Sequence, residues 1–138
     1  MMIDWFRPPL AKKERDLLIN FASVQNIQFF LITGRFGFLK QLTLRWLRKN
    51  NLFDCFDEIV VNIDDKEPAL FKARSISRLE IDYFVDDDLE VLKKLTKTSS
   101  AKLYWLVPRY RDKKENGHSG IRNVANLTQV FREVISGE

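Results

Sequence analysis

Apolar runs alternate with helix-like patterns along the whole chain. Runs of Val, Ile, Leu, Phe and Tyr without strict apolar–polar alternation are typical of strands that are buried on both faces of a sheet. The pattern predicts strands at residues 27–32, 57–61, 81–85 and 103–107, and a short strand that ends at Asp4. These five runs form the framework of the predicted fold.

Apolar residues recur at helical spacing between the predicted strands. The spacing predicts helices that begin after Pro9, near Leu39, after Pro68, at Leu89 and at Leu127. Strands that alternate with helices form a mainly parallel sheet covered on both faces. We therefore expect a three-layer α/β, Rossmann-like fold of about five strands, with its ligand crevice outside the carboxyl ends of the strands.

Length and composition fit one globular domain that spans residues 1–138. Hydrophobic residues make up 45% of the chain and charged residues 30%, which argues against disorder. No apolar run approaches the roughly 20 residues that cross a bilayer, and the N-terminus does not resemble a signal peptide. Cys55 is the single cysteine, which excludes an internal disulfide and favours a reducing, cytoplasmic setting. The single histidine, His118, is expected at the surface.

The net charge of +4 weakly favours anionic partners. The densest basic stretch lies at residues 109–114, just after a predicted strand. Two interpretations of it stay open: a solvated loop, or a rim that attracts a phosphorylated or nucleic-acid substrate.

Polar residues follow three of the predicted strands at their carboxyl ends. Asp86-Asp87-Asp88 follows the strand at 81–85, and adjacent carboxylates repel one another unless a cation or solvent takes up the charge. Asp86 and Asp87 are hard oxygen ligands suited to Mg²⁺, which takes one or two carboxylates together with a substrate phosphate. Asp88 precedes Leu89 and is expected to be the N-cap of the next helix.

The other two strands supply a hydroxyl group and a lysine. Thr33-Gly34-Arg35 follows the strand at 27–32, and Lys66 follows the strand at 57–61. Thr33 would donate its hydroxyl to a phosphoryl oxygen, and the amide of Gly34 would approach closely because glycine has no side chain. Lys66 would neutralise charge on the transferring group. Arg35 would assist phosphate binding or pair with a nearby acid.

The order of these residues resembles a known superfamily. Phe-Phe-Leu-Ile-Thr33-Gly34-Arg35, then Lys66, then Tyr-Phe-Val-Asp86-Asp87 look like motifs II, III and IV of the haloacid dehalogenase-like (HAD-like) phosphohydrolases. Residues 43–47 are similar to capless members, including polynucleotide-phosphatase-type domains. The resemblance covers roughly residues 10 to 107.

The resemblance implies a Mg²⁺-dependent phosphatase that works through an aspartyl-phosphate. By motif, Thr33 would bind the phosphoryl group, Lys66 would stabilise it, and Asp86 and Asp87 would hold the metal together with Asp4. Lys72 is the alternative for the lysine, although it lies one helical turn deeper and is expected to reach the site less well.

Motif I departs from the family pattern, which is Asp-x-Asp-x-Thr. Asp4 stands at the position of the nucleophile, but Phe6 replaces the acid that protonates the leaving group and Pro8 replaces the threonine. Phenylalanine transfers no proton, and loss of general acid–base catalysis typically slows a reaction about 10²- to 10⁴-fold. Either Asp4 belongs to a decayed site, or the first strand of the family lies upstream of Met1.

Two hypotheses follow from different classes of protein. The first is a small capless phosphatase of weak or impaired activity, acting on a phosphorylated substrate such as a nucleic acid end or a protein. The second is an inactive HAD-like binding or structural protein. A response-regulator receiver is disfavoured, because its acid pair should follow the first strand. No membrane partner is expected, and an oligomer stays open because a neighbouring subunit can replace a missing cap.

Overall fold

The computed structural model describes residues 1–4, 12–23, 27–33, 40–62, 66–107 and 118–136. Within these ranges, six strands form one sheet in the order β3-β2-β1-β4-β5-β6, and every pair of neighbours is parallel. The strands are β1 (Met2–Asp4), β2 (Phe30–Thr33), β3 (Glu58–Val61), β4 (Tyr83–Asp86), β5 (Lys102–Leu106) and β6 (Ile121–Val124).

Five α-helices connect or follow the strands in the described part of the chain. They are α1 (Lys12–Ala22), α2 (Lys40–Lys49), α3 (Pro68–Arg78), α4 (Leu89–Leu95) and α5 (Leu127–Ser136). A short 3-10 helix (Phe53–Cys55) lies between α2 and β3. No helix among the described residues is both long enough and apolar enough to cross a membrane.

The two faces of the sheet carry separate hydrophobic layers, because successive side chains of a strand point to opposite faces. Ile3, Leu31 and Val85 belong to the layer that also contains apolar residues of α1, α2 and α5. Met2 and Phe84 belong to the layer that contains apolar residues of α3 and α4. The result is the predicted arrangement of helix, sheet and helix layers.

The fold class is confirmed, and the differences are local. The sheet has a sixth strand, β6, which the hydrophobic pattern did not indicate because Arg122 and Asn123 interrupt its short apolar sequence. His118 is exposed, as expected. The predicted basic rim at residues 109–114 lies outside the described residues.

The central position of β1 determines where the candidate site lies. β1 pairs with β2 on one side, with Asp4 opposite Ile32, and with β4 on the other side, with Ile3 opposite Val85. The carboxyl ends of β2, β1 and β4 are therefore adjacent along one edge of the sheet. Thr33, Asp4 and Asp86 are the last residues of these three strands.

Candidate active site at the carboxyl edge of the sheet

Asp86 is buried at the end of β4 and forms an ion pair with a lysine of α3. The Nζ atom of Lys72 lies 2.7 Å from Oδ2 of Asp86, and the two side chains are 3% and 0% exposed. The backbone N–H of Asp88 donates to the other oxygen, Oδ1, at 3.0 Å. Both oxygens of this buried carboxylate therefore accept hydrogen bonds, which offsets part of the free-energy cost of removing the charge from water.

The sequence of α3 explains why a lysine reaches the interior. Lys72 lies three residues after Ala69 and four before Ile76, so the three share one face of the helix, and all three are buried. Pro68 occupies the first turn, and the carboxylate of Glu67 accepts from the N–H of Leu70 at 2.8 Å. This cap fixes the start of the helix, and the buried face then directs the ammonium group toward β4.

The acidic triplet divides into three different environments. Asp86 pairs with Lys72, whereas Asp87 is half-buried and its backbone carbonyl accepts from Nε1 of Trp105 at 3.1 Å. Asp88 caps α4, because its Oδ1 accepts from the N–H groups of Glu90 and Val91 at 3.1 and 3.3 Å. The prediction that Asp88 is an N-cap is confirmed. The expected repulsion within the triplet is reduced because the carboxylates of Asp86 and Asp88 each accept hydrogen bonds, from Lys72 and from backbone N–H groups.

Lys66 has a different environment from Lys72. Its side chain is exposed, and the contacts that hold it in place are made by its backbone. The side chain of Asn62 accepts from the N–H of Lys66 at 3.0 Å and donates to its carbonyl at 2.8 Å. Lys66 as the catalytic lysine stays a prediction, while the structure brings Lys72 to Asp86.

The remaining predicted residues are described to different extents. Thr33 is buried at the end of β2, and its carbonyl accepts from the N–H of Asn62 at 3.2 Å. The backbone of Asp4 ends β1, but its side chain lies outside the description. Gly34, Arg35, Phe6 and Pro8 also lie outside the described residues.

Comparison with known proteins supports the fold. No family model and no curated protein matches the sequence. Among solved structures, the chain is similar to the core domain, determined by NMR, of a "putative phosphoglycolate phosphatase" from Streptococcus pneumoniae TIGR4. The two share 14% sequence identity with a TM-score of 0.65, over 99% of this chain and 94% of that one.

The chain has a haloacid dehalogenase-like fold. The three polar motifs come from the sequence and the architecture comes from the structure, and both point to the same fold. The likeness in structure extends over residues beyond the motifs, including β6 and α5. The α/β fold predicted from the sequence is therefore supported by the three-dimensional arrangement.

The donors at this edge of the HAD-like fold fit a magnesium ion in their chemistry. Asp86 and Asp87 place two carboxylates at the end of one strand, and Mg²⁺ takes one or two such ligands together with waters and phosphate oxygens. Among the side chains that the structure describes, there is no group of three or more acids, histidines or cysteines that could hold a metal by itself. A site here would need the carboxylate of Asp4 or the substrate to complete it.

The sequence contained a signal for Lys72 that the motif order did not use. A lysine at the apolar positions of an amphipathic helix is rarely buried without a partner. Its spacing from Ala69 and Ile76 indicates burial, and a buried ammonium group requires an acid on the facing strand. Helical periodicity, combined with the order of the strands, would have identified the pair.

Proposed function

We propose that this chain is a HAD-like phosphatase that hydrolyses phosphate monoesters slowly, with Mg²⁺, through an aspartyl-phosphate on Asp4. The observation that carries the proposal is the buried ion pair between Lys72 and Asp86, at the edge where β1 and β2 also end. A buried ion pair is weak evidence for stability, because desolvation offsets the attraction. Its position beside Asp4 and Thr33 supports a role in chemistry.

The proposed reaction uses the chain's own residues in two steps. An oxygen of the Asp4 carboxylate bonds to phosphorus while the bond to the leaving oxygen breaks. Water then attacks phosphorus, which releases inorganic phosphate, regenerates the carboxylate and passes a proton to solvent. Thr33 would donate its hydroxyl to a phosphoryl oxygen in both steps.

Lys72 takes the role of the motif III lysine in this proposal. Its ammonium group would neutralise charge on the transferring group and hold Asp86 in place. Asp86 and Asp87, with Asp4, would hold Mg²⁺, which when bound supplies a Lewis acid for the phosphoryl oxygens. Lys66, which is exposed, would at most contribute to attracting the substrate.

Phe6 accounts for the slow rate in the proposal. With no proton donor at this position, the leaving oxygen departs as an anion or takes a proton from water, at a loss of about 10²- to 10⁴-fold in rate. The loss of rate should be smallest for esters whose leaving alcohol or phenol has a low pKa, because its anion departs without a proton. β1 already pairs on both sides, with β2 and β4, which favours Asp4 as the nucleophile over an acid on a strand upstream of Met1.

We further propose that residues 1–138 act as one domain without a cap. An open site suits a phosphate on a macromolecule, such as a nucleic acid end or a phosphorylated protein, better than a small metabolite. A partner subunit that covers the site is compatible with the same proposal.

The hydrolysis of two aryl phosphates tests the proposal. Wild type should hydrolyse 4-nitrophenyl phosphate slowly in Mg²⁺ and phenyl phosphate far more slowly, because phenolate is the poorer leaving group. Phe6→Asp should raise both rates and narrow the ratio between them, whereas Phe6→Asn, similar in size to aspartate but without a transferable proton, should not. Asp4→Asn in the Phe6→Asp background should remove the activity.

The second candidate is a HAD-like binding protein without turnover, and Phe6 is the observation that favours it. The two candidates differ in the Phe6→Asp variant. If this variant folds, is stabilised by Mg²⁺ in thermal denaturation and still hydrolyses neither ester, Asp4 is not a nucleophile and the binding protein is the better account.

A further inference from the structure

The outer face of α2 carries an uninterrupted basic surface. Arg45, Arg48 and Lys49 lie at spacings of three and four residues, so they share one face of the helix, and all three are exposed. Gln41 and Leu42 extend this face by one turn. From residue 35 to residue 53 the sequence has five basic residues and no acid. We name the face formed by Arg45, Arg48 and Lys49 the α2 basic face.

The charges of the α2 basic face are not neutralised within the described part of the chain. None of the three cations forms an ion pair with a described residue, whereas Lys93, Lys94 and Arg78 on the other side of the sheet each pair with a glutamate. Arg48 lies 4.7 Å above the ring of Phe53, which orients its guanidinium group without neutralising it. The surface therefore presents concentrated positive charge to solvent.

The opposite face of α2 indicates which kind of polyanion could bind to the α2 basic face. Leu47 is fully buried, and Leu44 and Trp46 pack against the same core layer. A helix that binds a lipid surface inserts a broad apolar face into it, and here that face is already occupied by the protein core. Leu42, 55% exposed, is the one large apolar side chain that the described residues of this helix leave open to solvent. The α2 basic face is thus suited to an anion that needs charge and little apolar contact.

We propose that the α2 basic face binds the phosphodiester backbone of a nucleic acid strand, without regard to its sequence. Arg45 and Lys49 are about 6 Å apart along the helix axis, which is a distance over which a strand presents more than one phosphate. Guanidinium and ammonium groups are the side chains that contact phosphates in such complexes. Binding here does not depend on hydrolysis, so the inference goes beyond the proposed function.

The position of α2 relates this surface to the candidate site. In a parallel α/β unit the helix begins on the side of the sheet where the preceding strand ends, so α2 starts near the carboxyl edge that holds Thr33. Arg45, Arg48 and Lys49 lie in the second half of the helix, away from that edge, so a strand bound there would have to continue past the first turn of α2 to reach it. The surface would then hold the body of a nucleic acid whose end reaches the site.

The dependence of binding on salt tests the inference. A fluorescently labelled single-stranded oligonucleotide is titrated with wild type and with an Arg45→Gln, Arg48→Gln, Lys49→Gln variant, and anisotropy is followed at several salt concentrations. The loss of three phosphate contacts should make the slope of log K against log salt shallower by about 2 in the variant, so its binding deficit relative to wild type should grow about 16-fold between 200 and 50 mM salt. Each single substitution should produce about a third of that change in slope.

A matched control separates clustering from net charge. Arg74→Gln, Arg78→Gln, Lys97→Gln removes the same charge from exposed positions on the other side of the sheet and should leave the slope unchanged. Equal weakening in both triple variants with unchanged melting temperatures, or no binding by wild type, would overturn the inference. So would binding of wild type to anionic lipid vesicles, lost in the α2 variant, without binding to the oligonucleotide. A failure of aryl phosphate hydrolysis would leave this result unaffected.

Discussion

Each face of the sheet carries one polar contact between a strand and a covering helix, and the two contacts differ in their access to water. On the face covered by α3 and α4, Lys72 and Asp86 form an ion pair with both side chains out of contact with solvent. On the face covered by α5, Glu133 lies close to the buried Tyr104 and forms an ion pair with Arg122, with 2.6 Å between Oε1 of Glu133 and Nη2 of Arg122. Glu133 is 15% exposed and Arg122 is 66% exposed.

The difference in solvent exposure indicates the role of each contact. The Tyr104 contact ends at the surface, where water solvates the charges and the free-energy cost of keeping them is small. The Lys72–Asp86 pair is fully desolvated, and the free-energy cost of desolvation offsets the attraction between the charges. A pair of apolar residues would therefore stabilise the fold equally well or better. Under the proposed function, a charge is kept in such a position because it takes part in chemistry at the adjacent carboxyl edge. The first contact is structural in this account, and the second is functional.

The largest expected effect comes from removing one partner of the buried pair. Lys72→Met and Asp86→Asn should each lower the free energy of unfolding by about 3–5 kcal/mol, because the remaining charge is left buried without its partner. Urea denaturation followed by circular dichroism measures both.

The double variant Lys72→Met, Asp86→Leu removes both charges of the buried pair. It should regain most of the lost stability, since neither charge remains, while it stays inactive. A double variant as unstable as the two single variants combined would show that the pair contributes to folding, and the functional interpretation would then lose its basis.

Activity should distinguish the two lysines by almost as large an effect. Lys72→Gln should reduce kcat for 4-nitrophenyl phosphate by about 10²- to 10³-fold, the loss typical of a group that stabilises charge in the transition state. Lys66→Gln, at an exposed position, is the matched control and should reduce it little. The opposite ranking would restore Lys66 as the catalytic lysine.

A smaller effect is expected at the structural contact. Tyr104→Phe removes the polar interaction of the Tyr104 hydroxyl with Glu133 and should lower the free energy of unfolding by about 1 kcal/mol. Burial, followed by the interaction with the nearby Glu133 carboxylate, raises the pKa of Tyr104 above its ordinary value of 10.0. The folded state therefore holds this proton more tightly than the unfolded state. The stabilisation is complete below the ordinary pKa and declines as the pH rises above it.

The alkaline decline provides the readout for Tyr104. Urea denaturation on both sides of pH 10 should show that stability falls less steeply with rising pH in Tyr104→Phe than in wild type. Identical slopes in the two proteins would mean that Tyr104 ionises equally easily in the folded and unfolded states. Hydrolysis should be unchanged in this variant.

The smallest effect is expected at the solvent-exposed end of the same contact. Arg122→Gln should change the free energy of unfolding by about 0–1 kcal/mol, and the change should shrink further at high salt, because solvent screens an exposed ion pair. A loss as large as that of Lys72→Met would contradict the contrast between the two faces.

The sequence predicted the features that depend on local periodicity. Uninterrupted apolar runs and helical spacing indicated the parallel sheet, and the cap at Asp88 followed from an acid directly before an apolar helix. β6 was missed because a four-residue strand with two polar residues has no distinctive pattern. Lys72 was ranked below Lys66 because it lies one helical turn deeper and was expected to reach the site less well, whereas the register of α3 on the sheet brings Lys72 to Asp86 of β4.

A crystal structure with Mg²⁺ and beryllium fluoride, which mimics a phosphoryl group on aspartate, would show whether Asp4 is the nucleophile. The account predicts beryllium fluoride on the carboxylate of Asp4, with Nζ of Lys72 and the hydroxyl of Thr33 within hydrogen-bonding distance and Mg²⁺ contacted by Asp86. An unmodified Asp4 under saturating conditions, with the Lys72–Asp86 pair unchanged, would contradict it.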